Sequence, residues 1–274
     1  MTKFEIEVSK TGSKRKEENI TFEEFVQRWM DVYMRVKLAV KTRNAYESYL
    51  NNGVLESLGK FKITKIKTYD IDVFFKEQGE KNKKSLSGKY MMLKSIFSRA
   101  VKWGIIKESP IKNVDRSEVA KRNRELLFYK EDQLKLLLSV LENIYPKHRI
   151  QIKLAVLVGL SMTEIAGIRL ENINYKDNTI LIDKTLQYDK ETKKFFLGPT
   201  KTKRPRIVDI SQTFMREIKA YAVQQKKLKI SSGSAWEPML DEEGNLVNLL
   251  FTKTNGFPTH PDGAKLSKGT ICRN

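Results

Sequence analysis

Cysteine and histidine are scarce in this chain of 274 residues, which holds one cysteine, Cys272, and two histidines, His148 and His260. A single cysteine excludes an internal disulfide, and so few thiol and imidazole groups argue against a catalytic metal site built from this chain. The sequence has no apolar run of the roughly 18 residues that a membrane span needs. Residues 1–10 also lack the apolar core of a signal peptide. We therefore expect a cytoplasmic protein with no membrane span and no metal.

Negative charge is also in short supply. Lysine and arginine total 52 against 33 aspartate and glutamate residues, which gives a formal net charge of +19 and a sequence pI near 9.7. A field of this sign concentrates polyanions, and basic loops can reach phosphates without disturbing a core. Nucleic acid is therefore the expected partner, and an acidic membrane surface is the weaker alternative. The positive residues cluster at 14–16, 81–84, 121–124, 201–206 and 226–229.

Hydrophobic periodicity predicts a helical unit over residues 20–113. Thr21 and Glu24 have the spacing of a capping box at the start of its first helix. Gly104 suits the left-handed position that follows the end of its last helix. Four helices are predicted, the first starting after Thr21, two covering about 42–51 and 69–78, and the last running from Ser85 or Ser87 to Gly104.

A second unit is predicted over residues 126–274, after a charged and aperiodic linker at 114–125. Residues 1–19 are interpreted as a basic N-terminal arm. Helices are predicted at about 130–143, 150–158 and 162–169 and from Ser211 through Ala222, and strands at 179–185, 194–197, 206–210 and 249–252. The Gly/Ser stretch directly after Ile230 is a predicted loop. The expected fold class is mainly α with a small antiparallel β-sheet.

Four motifs in the correct order resemble a known family, and the first of them begins with Thr21-Phe-Glu-Glu-Phe25…Trp29. Lys41-Thr-Arg-Asn-Ala-Tyr46 and Ala100-Val-Lys-Trp-Gly-Ile-Ile-Lys-Glu-Ser-Pro110 are similar to the core-binding domain of phage and conjugative-element integrases. Val158-Gly-Leu-Ser-Met-Thr-Glu-Ile-Ala-Gly-Ile-Arg-Leu-Glu-Asn-Ile173 resembles the first signature of their catalytic domain. Pro199-Thr-Lys-Thr-Lys-Arg-Pro-Arg-Ile-Val-Asp-Ile210 resembles the hairpin that bears their active-site lysine, and Phe251-Thr-Lys-Thr-Asn-Gly256 resembles the segment before their final helices. The chain thus resembles the tyrosine recombinases.

This resemblance extends over about residues 20–262 and implies a helical SAM-like core-binding domain followed by a truncated α+β catalytic domain. Such enzymes use a tyrosine to attack a DNA phosphodiester and form a 3′-phosphotyrosyl link without metal or cofactor. Arginines, a lysine and histidines or a tryptophan surround the phosphate. Fixed guanidinium groups suit this chemistry because the pentavalent transition state concentrates negative charge on non-bridging oxygens. The lysine can protonate the departing oxygen.

The active-site residues that the resemblance implies are only partly present. Lys201 matches the hairpin lysine, with Lys203 as the alternative, and Glu164 matches the acidic residue that supports the first arginine. Ser161 stands where the first arginine is expected, and Arg169 matches a second, non-catalytic arginine. Loss of one transition-state donor typically costs about 10²–10³ in rate. The serine therefore predicts a severe loss of catalysis.

The resemblance also implies a late His-x-x-Arg motif and a still later nucleophilic tyrosine. Neither His148 nor His260 is followed by arginine three positions on, so His148 is interpreted as a surface or helix-end residue and His260 as part of a turn. The last tyrosine, Tyr221, falls in a predicted helix. Because the resemblance fails after about residue 262, we expect a truncated catalytic domain.

The sequence thus predicts a DNA-binding member of the phage integrase family that does not cleave DNA as this chain. Two alternatives stay open: an active recombinase whose tyrosine comes from missing sequence or another subunit, and a regulator or decoy at attachment sites. The expected partners are double-stranded DNA and other recombinase subunits, and two basic lobes could close around a duplex as a clamp. The basic residues chosen as DNA contacts are Arg43, Lys84, Lys89, Lys94, Lys201, Lys203 and Arg204.

Overall fold

The chain divides into two units, Met1–Leu126 and Leu127–Asn274, called unit 1 and unit 2 below. The computed structural model describes residues 20–82, 85–114 and 129–261. The predicted arm at 1–19, nearly all of the predicted linker and the segment from residue 262 onward lie outside the described residues. No helix in the described part of the chain is both long and apolar enough to cross a membrane.

The described part of unit 1 is helical. Its helices are α1 (Phe22–Trp29), α2 (Arg35–Lys37), α3 (Val40–Tyr49), α4 (Leu55–Leu58), α5 (Thr68–Asn82) and α6 (Leu86–Lys102). A turn of π-helix at Met30–Met34 continues α1 into α2, and a 3₁₀ turn at Ile63–Lys65 precedes α5. Between α3 and α4 the segment Leu50–Val54 is kinked, because Asn52 and Gly53 leave the helical conformation. The four predicted helices correspond to α1, α3, α5 and α6 and are confirmed.

Local signals in the sequence set the helix ends of unit 1. The Glu24 amide donates to Thr21 Oγ1 at 3.2 Å, and the Thr21 amide donates to the Glu24 carboxylate at 2.8 Å, which completes the predicted capping box. Gly104 has a φ of +74° and its amide donates to the Val101 carbonyl, so it ends α6 as predicted. The core lies between α1 and α6, with Trp29 fully buried.

Unit 2 combines helices with short strands. Its helices are α7 (Glu131–Leu141), α8 (Pro146–Leu157), α9 (Met162–Ala166) and α10 (Gln212–Ser232). Its strands are β1 (Ile173–Asn174), β2 (Thr179–Ile182), β3 (Lys184–Asp189), β4 (Lys194–Pro199), β5 (Arg206–Asp209), β6 (Met239–Leu240) and β7 (Leu246–Val247). The Ser211 hydroxyl accepts from the Phe214 amide and caps α10 as predicted. The described residues are mostly helical with small antiparallel sheets, which confirms the expected fold class.

Strands β2 to β5 of unit 2 form one long interrupted hairpin. An antiparallel sheet has the order β1-β2-β5, and β3 pairs with β4 alone. The register pairs Lys184 with Pro199 and Ile182 with Arg206, so residues 200–205 loop out opposite the single residue Asp183. The strand predicted at 179–185 is therefore two strands. The ladder breaks at Asp183, whose side chain accepts a hydrogen bond from Arg169 at 2.6 Å.

Two predictions in the last third of the chain are wrong. Residues 249–252 form no strand, because Leu249 and Thr252 make only isolated bridges, to Arg169 and Pro258 respectively. They are nevertheless buried, and this apolar burial produced the strand-like pattern. The loop predicted for the Gly/Ser stretch after Ile230 begins too early, because α10 continues to Ser232.

Candidate nucleic-acid interface

The basic turn predicted from the sequence is the loop at 200–205, between β4 and β5. Its shape is set by Lys203, whose amide donates to the Thr200 carbonyl at 2.9 Å and whose φ of +56° is left-handed. The Thr200 side chain is buried and anchors the loop to unit 2. The side chains of Lys201, Lys203 and Arg204 are exposed. The structure therefore brings these three predicted DNA contacts together on one protruding loop.

The positive charge of this loop is not balanced by any acidic residue within the loop. Residues 200–206 carry four cations and no carboxylate. Because exposed lysine and arginine side chains on a loop can follow the spacing of phosphates, this arrangement suits a polyanionic backbone. Contact between Lys201, Lys203 or Arg204 and DNA stays a prediction.

Ser161, the residue at the expected first-arginine position, is the N-cap of α9. Its hydroxyl and its backbone amide both donate to Oε2 of Glu164, each at 2.8 Å. The Glu164 amide donates back to the Ser161 hydroxyl at 3.4 Å, which completes a capping box. Such a cap stabilises a helix by about 1 kcal/mol. Ser161 thus organises the start of α9 and holds the Glu164 carboxylate in place.

The other oxygen of that carboxylate binds Arg206, the first residue of β5. Arg206 Nη1 donates to Glu164 Oε1 at 2.6 Å. The Glu164 side chain is 11% exposed, and the Arg206 side chain is 41% exposed. Burial alone would raise the pKa of the Glu164 carboxyl, but the hydrogen bonds from Arg206 and Ser161 outweigh it and leave that pKa lowered. The same hydrogen bond to Glu164 raises the pKa of Arg206.

In the sequence, Arg206 lies in a basic cluster and at the start of a predicted strand, and no local pattern gives it a partner. Glu164 lies 42 residues earlier, so no local pattern joins the two. Their contact depends on the packing of α9 against β3, which Gly167 permits at the end of α9. A Cβ at this position would lie 2.8 Å from the Leu186 backbone nitrogen, closer than real Cβ atoms approach backbone. Gly167 is the one local signal for this close contact.

In unit 1 the predicted DNA contacts differ in exposure. Lys94 is exposed on α6. Arg43 on α3 is half-buried, and its Nη1 donates at 3.4 Å to the carbonyl of Arg35, the first residue of α2. Lys84 lies outside the described residues. The roles of these three residues in DNA binding stay predictions.

Lys89 corrects the sequence analysis. It is 3% exposed, and its Nζ donates to the Asn52 carbonyl at 2.7 Å and to the Gln78 side-chain oxygen. Burial, followed by the charge of Lys81, lowers the pKa of Lys89. An ammonium group inside the helical unit cannot reach a phosphate, so the choice of Lys89 as a DNA contact was wrong. The spacing contained this information, because Lys89 lies four residues before Leu93 and seven before Ile96 on the buried face of α6.

With this geometry established, comparison with known proteins assigns the fold. Residues 21–77 match a family model described as phage integrase, N-terminal SAM-like domain. The structure resembles the Tn1549 transposon integrase in complex with transposon right end DNA, with a TM-score of 0.71 and 18% identity over 89% of this chain and 75% of that chain. The chain thus has the fold of this integrase. The chain also resembles a lambda integrase dimer bound to a COC′ core site, with a TM-score of 0.55 and 12% identity over 89% of this chain and 75% of that chain. No curated protein matches the chain in sequence.

The other residues singled out from the recombinase motifs have structural surroundings. Arg169 donates to Asp183. His260 packs edge-on against Tyr188, with ring centroids 5.3 Å apart, and the exposed His148 lies beside Tyr145.

Tyr221 is buried and stacked on Phe251, and burial, followed by the effect of Tyr145, raises the pKa of Tyr221. Among the described residues, no group of histidine, cysteine, aspartate and glutamate side chains is arranged to hold a metal ion.

Proposed function

We propose that this chain binds double-stranded DNA as a member of the phage integrase family and that it does not cleave the DNA it binds. The observation that carries the proposal is the exposed loop at 200–205. This loop contains three basic residues and no acidic residue, and it belongs to a chain with the fold of an integrase. The Tn1549 and lambda integrases that share this fold are solved as complexes with DNA. The shared fold and the positive charge together support DNA binding by this chain.

The proposed binding uses both predicted units, residues 20–113 and 126–274, joined by the linker at 114–125. The loop at 200–205 supplies phosphate contacts from the second unit, and Lys94, with Arg43 and Lys84, supplies them from the first. With a net charge of +19, association with DNA is driven largely by counterion release. A clamp of two lobes follows from this division, and other recombinase subunits are proposed as further partners.

Two observations support binding without cleavage. Ser161, at the expected first-arginine position, is occupied with the cap of α9 and provides no positive charge. Tyr221 is buried with a raised pKa, so its hydroxyl is neither accessible to a phosphodiester nor easily ionised. A nucleophile must be both.

Binding is tested with the full chain and a fluorescent 30-base-pair duplex, by anisotropy at a series of salt concentrations. We expect log affinity to fall linearly with log salt, with a slope of about −0.9 for each phosphate that the chain neutralises. A triple variant of Lys201, Lys203 and Arg204 to alanine should lower the steepness of this line by up to about 2.7. The proposal would be refuted if the anisotropy of the duplex did not change when the chain is added at physiological salt.

Cleavage is tested with a suicide substrate, a nicked duplex that traps a covalent protein–DNA adduct. We expect no adduct from this chain alone. An adduct would instead support the alternative of an active recombinase, which the retained Lys201 and the Glu164–Arg206 pair favour. If an adduct forms only after a full-length relative is added, the tyrosine comes from another subunit. Binding that blocks such a relative at its attachment site would support a regulator or decoy.

A further inference from the structure

The Glu164–Arg206 pair has the form of an anchored guanidinium rather than a buried ion pair. The carboxylate is almost enclosed, at 11% exposure, whereas the arginine side chain is 41% exposed. Oε2 of Glu164 is held by the amide and hydroxyl of Ser161, and Oε1 receives Nη1 of Arg206. Every oxygen of the carboxylate is therefore engaged, and its position is fixed from the α9 side.

The guanidinium retains capacity for a second acceptor. Arginine carries five N–H donors in a planar fork, and one nitrogen bound to a carboxylate leaves the others available. In the part of the chain that the structure describes, Glu164 is the one hydrogen-bond partner recorded for Arg206. The remaining donors belong to a side chain that is well exposed, so an external oxyanion can approach them.

The surroundings favour an anion. Arg206 follows directly after the loop at 200–205, whose Lys201, Lys203 and Arg204 are exposed. The four cations of residues 200–206 exceed the single charge of Glu164 by three. Arg206 therefore lies directly after a positively charged loop. One nitrogen of its guanidinium is hydrogen-bonded to Glu164, and the side chain is otherwise exposed to solvent.

We propose that Arg206 binds a phosphodiester of the DNA backbone and supplies, from β5, the guanidinium that Ser161 does not supply from α9. This inference rests on the proposed function, because it names one residue of the DNA-binding surface. Ser161 and Arg206 hold opposite oxygens of the same carboxylate, so the guanidinium lies next to the position where the recombinase motif expects one. Arg206 acts with Lys201 on the same phosphate backbone, and its guanidinium donates to a non-bridging oxygen.

Two variants break the Glu164–Arg206 pair from opposite sides. Arg206→Ala removes the guanidinium, and Glu164→Gln removes the carboxylate charge but leaves the guanidinium in place. In the anisotropy assay with the 30-base-pair duplex, Arg206→Ala should weaken binding about tenfold and reduce the salt slope by about 0.9. Glu164→Gln should strengthen binding roughly threefold, because it removes a negative charge beside the phosphate. A purely structural ion pair predicts that both variants weaken binding together.

Arg216→Ala is the matched control, because Arg216 is an exposed arginine of unit 2 on α10 and its loss changes the net charge equally. If Arg206→Ala unfolds in a thermal melt, Arg206→Lys decides the question, since lysine keeps the charge but loses the fork. The lysine variant should bind at least threefold more weakly than the unaltered chain, and equal affinity would overturn the inference. The inference also fails if the unaltered chain binds DNA and Arg206→Ala binds as tightly as Arg216→Ala. An unaltered chain that does not bind at all refutes the proposed function instead.

Discussion

Lys89 provides the sharpest test of the structure, because sequence and structure assign it different roles. The change is Lys89→Met, which keeps an unbranched side chain of similar length and removes the ammonium group. In the structure that group donates to the Asn52 carbonyl and to Gln78, and it lies 5.9 Å from the centre of the Phe74 ring. Gln78 is itself buried, and its side chain packs against Gly53 in the turn that links α3 to α4. The lysine thus ties α6 to α5 and to this turn.

The size of the effect follows from the groups left without a partner. Each buried acceptor that loses its donor costs about 1–3 kcal/mol, and two acceptors are affected. Removal of a desolvated charge offsets part of that cost. We therefore expect the free energy of unfolding of unit 1 to fall by about 2 kcal/mol. Because burial lowers the pKa of Lys89, the unaltered chain should also gain stability as pH rises from that lowered pKa towards 10.5, a gain that the methionine variant lacks.

The assay is urea unfolding followed by tryptophan fluorescence, since Trp29 and Trp103 both lie in unit 1. The matched control is Lys94→Met on the same helix, whose exposed side chain should change stability by less than about 0.5 kcal/mol. In the DNA-binding assay we expect the opposite ranking of the two variants. Lys94→Met should reduce the salt slope by about 0.9, and Lys89→Met should leave the salt slope unchanged. A Lys89→Met chain of full stability but reduced salt slope would refute the burial argument.

Two further predictions concern unit 2. Gly167→Ala places a Cβ 2.8 Å from the Leu186 backbone nitrogen and 3.0 Å from the Lys184 carbonyl oxygen. We expect this crowding to lower the free energy of unfolding of unit 2 by about 1–3 kcal/mol, measured by urea unfolding. Unchanged stability would show that α9 can move away from β3. The lowered pKa of Glu164 means that its stabilising contribution is complete above its ordinary value of 4.5 and is lost as pH falls through the lowered pKa. The stability difference between the unaltered chain and Glu164→Gln should therefore shrink on acidification below 4.5, and a difference independent of pH would contradict the assigned hydrogen bonds.

Helices could be predicted from the sequence because their determinants are local. The capping box of Thr21 and Glu24 and the serine cap of α10 join residues three positions apart, and the apolar stripe of α6 repeats within one helix. The same periodicity also placed Lys89 on the buried side of α6, although its charge was taken as a sign of exposure. Charge alone does not decide burial when acceptors such as the Asn52 carbonyl are near enough to pair with an ammonium group.

Three features were decided by tertiary structure alone. The ladder between β2 and β5 resumes only after residues 200–205 loop out, and this register depends on pairing between strands about 24 to 30 positions apart in the chain. The burial of residues 249–252 without strand pairing depends on what packs around them. Arg206 meets Glu164 because Gly167 lets α9 approach β3, a contact between residues 42 positions apart. Local propensity acts over a few residues, whereas these contacts exist only once the sheet and its covering helix have closed on each other.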